Sequence, residues 1–207
     1  MITIIHYGLG NLFSLQSSLS FLGLESEITS DPAKIKQAQR LILPGVGGFP
    51  DAMERLEQTG LAKAIIQAAQ ASVPLLGICL GMQLLFESSM EYGLHQGLGL
   101  LPGTVRPLTE RLPSNLKSPH MGWNQLHIVK EIPILENVAE YDFFYYVHSY
   151  YAAANNSVLA AVSDYGFSIP GVVSKRNVFG TQFHPEKSGE AGLCILKSFA
   201  KCRKEDF

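Results

Sequence analysis

The chain has 207 residues, 46% hydrophobic and 16% charged: enough apolar material for a sizeable core, and too little charge for a disordered or solvated module. Lys and Arg number 16 against 18 Asp and Glu, a formal charge of −2 that lacks the basic excess selected by phosphate backbones and anionic membrane surfaces. Small ligands are therefore expected, and neither nucleic acid nor membrane.

Ile2–Ile5 is a short β-branched run, followed by Gly8 and Gly10 and then leucines at 12, 15, 19 and 22. This predicts strand, glycine loop and helix, with Asn11 as N-cap and the leucines on one stripe of a 3.6-residue period. Gly8-x-Gly10 opens like a dinucleotide fingerprint, but Phe13 stands where its third glycine belongs, which argues against NAD. The same grammar recurs. Residues 41–43 read as a buried strand ending in Pro44-Gly45-Val46-Gly47-Gly48, with a later helix marked by Leu61, Ala64, Ile65 and Ala68. Residues 73–78 read as a third strand running into Cys79 and a helix over 80–86. Strands alternating with helices predict a parallel sheet covered on both faces.

From about residue 97 the texture changes to short β-rich segments at 103–106, 126–129, 143–147, 158–162 and 171–174, expected as antiparallel additions to that sheet. Residues 107–119 read as a proline-rich loop with Trp123 beside it, Arg176-Asn177 as a tight turn, and 188–201 as a closing helix. No repeat or linker interrupts the chain, so one domain over 1–207 is expected. The first strand has no basic leader, and no apolar stretch approaches the ~20 residues of a spanning helix, so a cytoplasmic protein is expected. Cys79, Cys194 and Cys202 form neither a disulfide framework nor a C-x-x-C pair, and no metal is expected.

Chemistry concentrates at Gly77-Ile78-Cys79-Leu80-Gly81. G-x-C-x-G is the thiol counterpart of the nucleophile elbow, a turn that holds its tip residue exposed and strained and needs small neighbours for the backbone to pass. The helix start that follows favours a thiolate and leaves the Leu80 N–H to donate to an oxyanion. A thiol needs a base. His184 ends a predicted strand with Glu186 two residues on, and positions i and i+2 of an extended segment point the same way. Glu186 can then orient an imidazole that activates Cys79. A zinc deaminase with H-x-E would also need P-C-x-x-C downstream, which is absent. The glycines at 45, 47 and 48 allow close backbone approach and a peptide flip, making Val46-Gly47 a second candidate oxyanion donor. Against these stand a buried core cysteine, a surface His-Glu pair and a plain tight turn.

The stretch from Gly77 to Gln83, with Thr181-Gln182-Phe183-His184-Pro185-Glu186, resembles the class I (triad) glutamine amidotransferases. Tyr7-Gly8-Leu9-Gly10-Asn11-Leu12, Leu43-Pro44-Gly45-Val46-Gly47, Pro119-His120-Met121-Gly122-Trp123-Asn124, Val147-His148-Ser149-Tyr150 and His184-Pro185-Glu186-Lys187-Ser188 are similar to those glutaminase subunits of the family that serve a cyclase. The resemblance implies an α/β flavodoxin-like open sheet with a mainly parallel centre, antiparallel additions and helices on both faces. It implies a Cys79, His184, Glu186 triad that hydrolyses glutamine to glutamate and ammonia through a glutamyl thioester, without a cofactor. Leu80 and a backbone amide of Val46 or Gly47 would form the oxyanion hole. Gly45, Gln83, Glu91 and the backbones of His148, Ser149 and Tyr150 would hold glutamine. The implied partner is a (β/α)8-barrel cyclase subunit, faced by Trp123, Tyr145 and Lys187. It combines the ammonia with a phosphoribosyl-carboxamide to make imidazole glycerol phosphate and aminoimidazole carboxamide ribotide in histidine biosynthesis. His6 stands where the family usually carries Asp, which leaves the triad intact but keeps open a paralogue feeding amino-sugar synthesis. A silent regulatory module would be favoured by a lost triad residue, and none is lost.

Overall fold

The computed structural model describes all 207 residues. Its strands are β1 (Ile2–Ile5), β2 (Ser26–Thr29), β3 (Leu41–Gly45), β4 (Leu75–Cys79), β5 (Phe86–Ser89), β6 (His95–Gln96), β7 (Leu101–Pro107), β8 (His120–Gln125), β9 (His127–Ile128), β10 (Phe143–His148), β11 (Tyr150–Ala154), β12 (Leu159–Asp164), β13 (Ser168–Lys175) and β14 (Val178–Thr181). Its α-helices are α1 (Leu12–Phe21), α2 (Pro32–Gln37), α3 (Phe49–Gln58), α4 (Leu61–Gln70), α5 (Leu80–Leu84) and α6 (Gly189–Phe199). No helix is long and apolar enough to cross a membrane.

The fully buried strands β1, β3 and β4 are covered on both faces, which is why their sequences run almost wholly apolar. Ile4, Ile42, Leu76 and Ile78 pack against Leu15 and Leu19 of α1 and Ile195 and Phe199 of α6. Their alternates Ile5, Leu41, Leu43 and Leu75 pack against Ile35 of α2, Phe49 and Leu56 of α3 and Ile65 of α4. The main sheet has eight strands in the order β2-β1-β3-β4-β14-β13-β12-β9. The first five run parallel in the doubly wound 2-1-3-4-5 sequence, and β13, β12 and β9 extend it antiparallel. The flavodoxin-like arrangement and helices on both faces are thus present.

The structure corrects several local expectations. The remaining β-segments are not all additions to the main sheet: β8 pairs with β10 in a ribbon of their own, and β11-β7-β5-β6 form a separate four-stranded sheet. Trp123 lies within β8 rather than beside a loop. The helix expected over 80–86 ends at Leu84, because Phe86 already pairs with Leu101 as the start of β5. Two helices follow β3, not one. Phe49, Ala52, Met53 and Leu56 of α3 recur at helical spacing, and Gly60, at φ +73°, separates it from α4. The short elements β2 and α2 were not anticipated. β2 is an edge strand with little apolar alternation, and α2 is too short to display a period.

Candidate active site

Ligands of doubly wound sheets bind beyond the carboxyl ends of the strands, and here β4 lies between β3 and β14. Three loops distant in sequence therefore meet: Gly45 to Gly48 after β3, Cys79 at the end of β4, and Gln182 to Glu186 after β14. A cavity of about 560 Å³ opens there, lined by Cys79, His184 and residues 148–150 among others. Its volume suits a small polar metabolite.

Cys79 has φ 55° and ψ −112°, outside the regions ordinary residues occupy and costing about 1–3 kcal/mol. The flanking glycines make this turn possible. A Cβ on Gly81 would fall 1.8 Å from the Leu43 carbonyl oxygen, and one on Gly77 would fall 2.6 Å from the Gly81 carbonyl oxygen. Helix α5 thus rests directly on β3 and β4. Gly81→Ala is expected to destabilise the fold by about 3 kcal/mol, because the obstacle is backbone that cannot rotate away; a denaturant titration with an unchanged midpoint would refute this packing account.

His184 Nδ1 donates to Glu186 Oε1 at 2.8 Å, and both side chains are 4% exposed. A carboxylate only accepts, so the proton on Nδ1 is assigned and Nε2 is left free for Cys79, which lines the same cavity. Burial alone pulls the His184 imidazole down, but the hydrogen bonds and charges of Cys79 and Glu186 more than reverse this and push it up to about 10. A protonated imidazole beside sulfur favours the nucleophilic thiolate. The Cys79 thiol also lies 3.9 Å from the Val147 carbonyl and accepts from Gln182 Nε2 at 3.9 Å.

Val46, Gly47 and Leu80 line the cavity. Gly47 has φ +99°, with open space where a Cβ would lie. Gly45 is buried beside Cys79 in the β3–β4 ladder and does not line the cavity; the Tyr7 hydroxyl and the Gly81 nitrogen fill the space a side chain would need. Gln83 donates to the Tyr150 carbonyl and to Gln182 Oε1, both at 3.0 Å. Glu91 accepts from the Phe49 N–H at 3.0 Å, capping the start of α3, whose own N-cap residue is Gly48. Burial raises the Glu91 carboxyl above its ordinary range. His148, Ser149 and Tyr150 form one wall. Trp123 and Tyr145 are cross-strand neighbours in the ribbon, Tyr145 donates from its backbone to Ser188, and Lys187 is exposed one residue away. His6 is exposed just past β1 and does not line the cavity.

Sequence reasoning missed Gln182, Tyr92 and Tyr7. The strand expected to carry His184 and Glu186 ends at Thr181, and Glu186 lies in a 3-10 turn over Pro185–Lys187, so the alternation of an extended segment does not account for their pairing; Gln182, just past the strand end, reaches the sulfur beside them. Tyr92 lines the cavity at φ 56° while remaining 86% exposed, and no sequence pattern marked it. The buried Tyr7 hydroxyl donates to the Pro44 carbonyl at 3.0 Å, anchoring the base of the glycine-rich loop.

The family model for glutamine amidotransferase class-I matches residues 3–201. Among curated relatives, the chain is 51% identical over 199 residues to imidazole glycerol phosphate synthase subunit HisH of Bacillus cereus (strain G9842), covering 96% of this chain and 93% of that one. It is 48% identical over 207 residues to the protein of the same description in Desulfitobacterium hafniense (strain Y51), covering 100% and 96%. Among solved structures, PurLQS from Thermotoga maritima superposes with a TM-score of 0.73 at 20% identity, covering 96% of each chain, a likeness of fold.

Proposed function

The chain belongs to the class I glutamine amidotransferases, and we infer from this membership that it is the glutamine-hydrolysing subunit of imidazole glycerol phosphate synthase, acting in histidine biosynthesis. We read 1–207 as one amidotransferase domain working in the cytoplasm. The reading of the site is carried by one observation: a strained cysteine shares a cavity with an imidazole whose proton is held by a buried carboxylate.

In the proposed reaction Cys79 Sγ attacks the side-chain amide carbon of glutamine. The oxyanion is held by the Leu80 N–H and a backbone amide of the Val46-Gly47 segment. His184, protonated and steadied by Glu186, gives its proton to the departing nitrogen, so that ammonia leaves and a glutamyl thioester remains. His184 Nε2 then takes a proton from water, whose oxygen opens the thioester to release glutamate and returns the sulfur as the thiolate beside the protonated imidazole. Gln83, Glu91 and the backbone of 148–150 are assigned to the amino-acid end of glutamine.

The ammonia is assigned to a (β/α)8-barrel cyclase subunit bound over Trp123, Tyr145 and Lys187. Trp123 is 56% exposed, and Met121 and Phe143 are also exposed on the ribbon. An outward apolar surface of this kind beside a cavity favours a protein partner. Glutamate production should rise strongly when the cyclase subunit and its ribotide ligand are added, and equal stimulation by an unrelated synthase would count against the partner. The glycine-rich loop is the proposed gate, completing the oxyanion hole when the partner is loaded. Proline lacks an N–H and cannot adopt φ +99°, so Gly47→Pro should cut stimulated turnover by about 10²–10³-fold, with a lower melting temperature because the loop backbone must shift. Unchanged stimulation would refute the gate.

A further inference from the structure

Two buried histidines that the triad does not use form the middle of a continuous hydrogen-bonded chain. Asn124 Nδ2 meets His120 Nε2 at 3.2 Å, His120 Nδ1 meets His148 Nε2 at 3.0 Å, and His148 Nδ1 meets the Tyr150 carbonyl at 2.7 Å. The same carbonyl accepts from Gln83, which also donates to Gln182, the residue that donates to the Cys79 sulfur.

The protons in this chain can be assigned from both ends. At one end the Tyr150 carbonyl only accepts, so His148 carries its proton on Nδ1. At the other, Asn124 Oδ1 accepts from the Gln125 N–H at 2.8 Å, and Nδ2 donates to the Asp164 carbonyl at 2.8 Å, which sets the amide orientation. Nδ2 is then also the donor to His120 Nε2, leaving the His120 proton on Nδ1, aimed at His148 Nε2. The two ends demand the same polarity. A second proton on either ring would set two N–H groups facing each other. His120 is further clamped between the stacked rings of Tyr146 and Tyr165, at 4.7 and 4.1 Å.

We propose that His120 and His148 are positioning residues, a neutral imidazole pair with one fixed proton polarity. The pair pins the Tyr150 carbonyl, and with it the glutamine-holding backbone of 148–150, in register with Gln83, Gln182 and Cys79. Burial supports the neutral state, pushing His120 down to about 4 and His148 down to about 3. His148 is opposed further by the charges of His120 and His184, with only its bond to the Tyr150 carbonyl acting the other way. The inference rests on the assignment of 148–150 to glutamine binding and adds what holds that backbone in place.

Long-range proton–nitrogen spectra of the 15N-labelled full chain at neutral pH should show both rings protonated on Nδ1 alone; an Nε2–H or a cation at either position overturns the proposal. In the complex with the synthase partner, His120→Leu removes the donor to His148. It should raise the KM for glutamine about tenfold or more, with kcat within about twofold. His120→Asn, which keeps an N–H near the Nδ1 position, should restore most of the loss, whereas His120→Gln should not. Equal KM in all three variants, or loss confined to kcat, overturns the proposal, and the asparagine–glutamine contrast decides it if the leucine variant fails to fold. Glutamate production that persists in Cys79→Ala would strike instead at the assignment of the nucleophile, and would leave the tautomers as they are.

Discussion

Glutamate production by the partner-loaded complex is expected to fall by about 10⁴-fold or more in Cys79→Ala, because removing the nucleophile leaves only binding and the oxyanion donors. The same position yields an opposite expectation for stability. Cys79 sits at φ 55° and ψ −112°, a conformation that a Cβ makes costly and glycine adopts freely. Alanine keeps that strain. Cys79→Gly releases about 1–3 kcal/mol of it, against about 0.4–1 kcal/mol of added freedom in the unfolded chain. The glycine variant should therefore be as inactive as the alanine variant and melt at a higher temperature. An alanine variant that retains turnover, or a glycine variant that melts below it, would contradict the elbow as described.

Glu186→Gln is expected to lower kcat by about 10²–10⁴-fold. The amide oxygen can still accept from His184 Nδ1, so the tautomer survives, but the charge that favours the imidazolium is gone. Glu186 Oε2 is buried with no hydrogen-bond partner, so the new NH₂ group would occupy an unsatisfied position and add a stability cost of about 1–3 kcal/mol. In the wild type His184 is held up to about 10 against an ordinary value of 6.5, and losing one of its two partners lowers it. The alkaline limb of kcat/KM should accordingly move to lower pH. The sign for stability is that of a raised histidine: the contribution is fully present below about pH 6.5 and lost as pH rises through about 10. The stability gap between wild type and Glu186→Gln should narrow over that window. A limb that stays in place, with kcat intact, would remove Glu186 from the triad.

Much of this site was legible in linear order because its demands are local. A glycine two residues to either side of Cys79 is a steric requirement of one turn, and the Gly81 contact with the Leu43 carbonyl shows how tightly it is met. His184 and Glu186 are only two residues apart, so their contact was foreseeable, although the segment is not the extended strand expected: β14 ends at Thr181, and a 3-10 turn over Pro185–Lys187 brings the Glu186 carboxylate back to His184 Nδ1. The α3 stripe has the same local legibility, with Phe49, Ala52, Met53 and Leu56 at helical spacing. Gly45 shows the limit: a glycine-dense loop suggested ligand contact there, whereas the tertiary structure pairs Gly45 with Cys79 and packs Tyr7 and α5 so closely that no side chain would fit.

The amino-acid order alone was enough for the alternation of buried strands and helices, the nucleophile turn and the histidine–carboxylate pair, since each depends on sterics or periodicity within a few residues. It did not say that β14 would lie against β4 and bring His184 to Cys79, nor that β8 and β10 would leave the main sheet and align His120 with His148. Those outcomes depend on which strand edges meet once both faces of the sheet are covered. Pleating and alternation are the same whichever partner a strand takes, so pairing is settled by packing across the whole molecule.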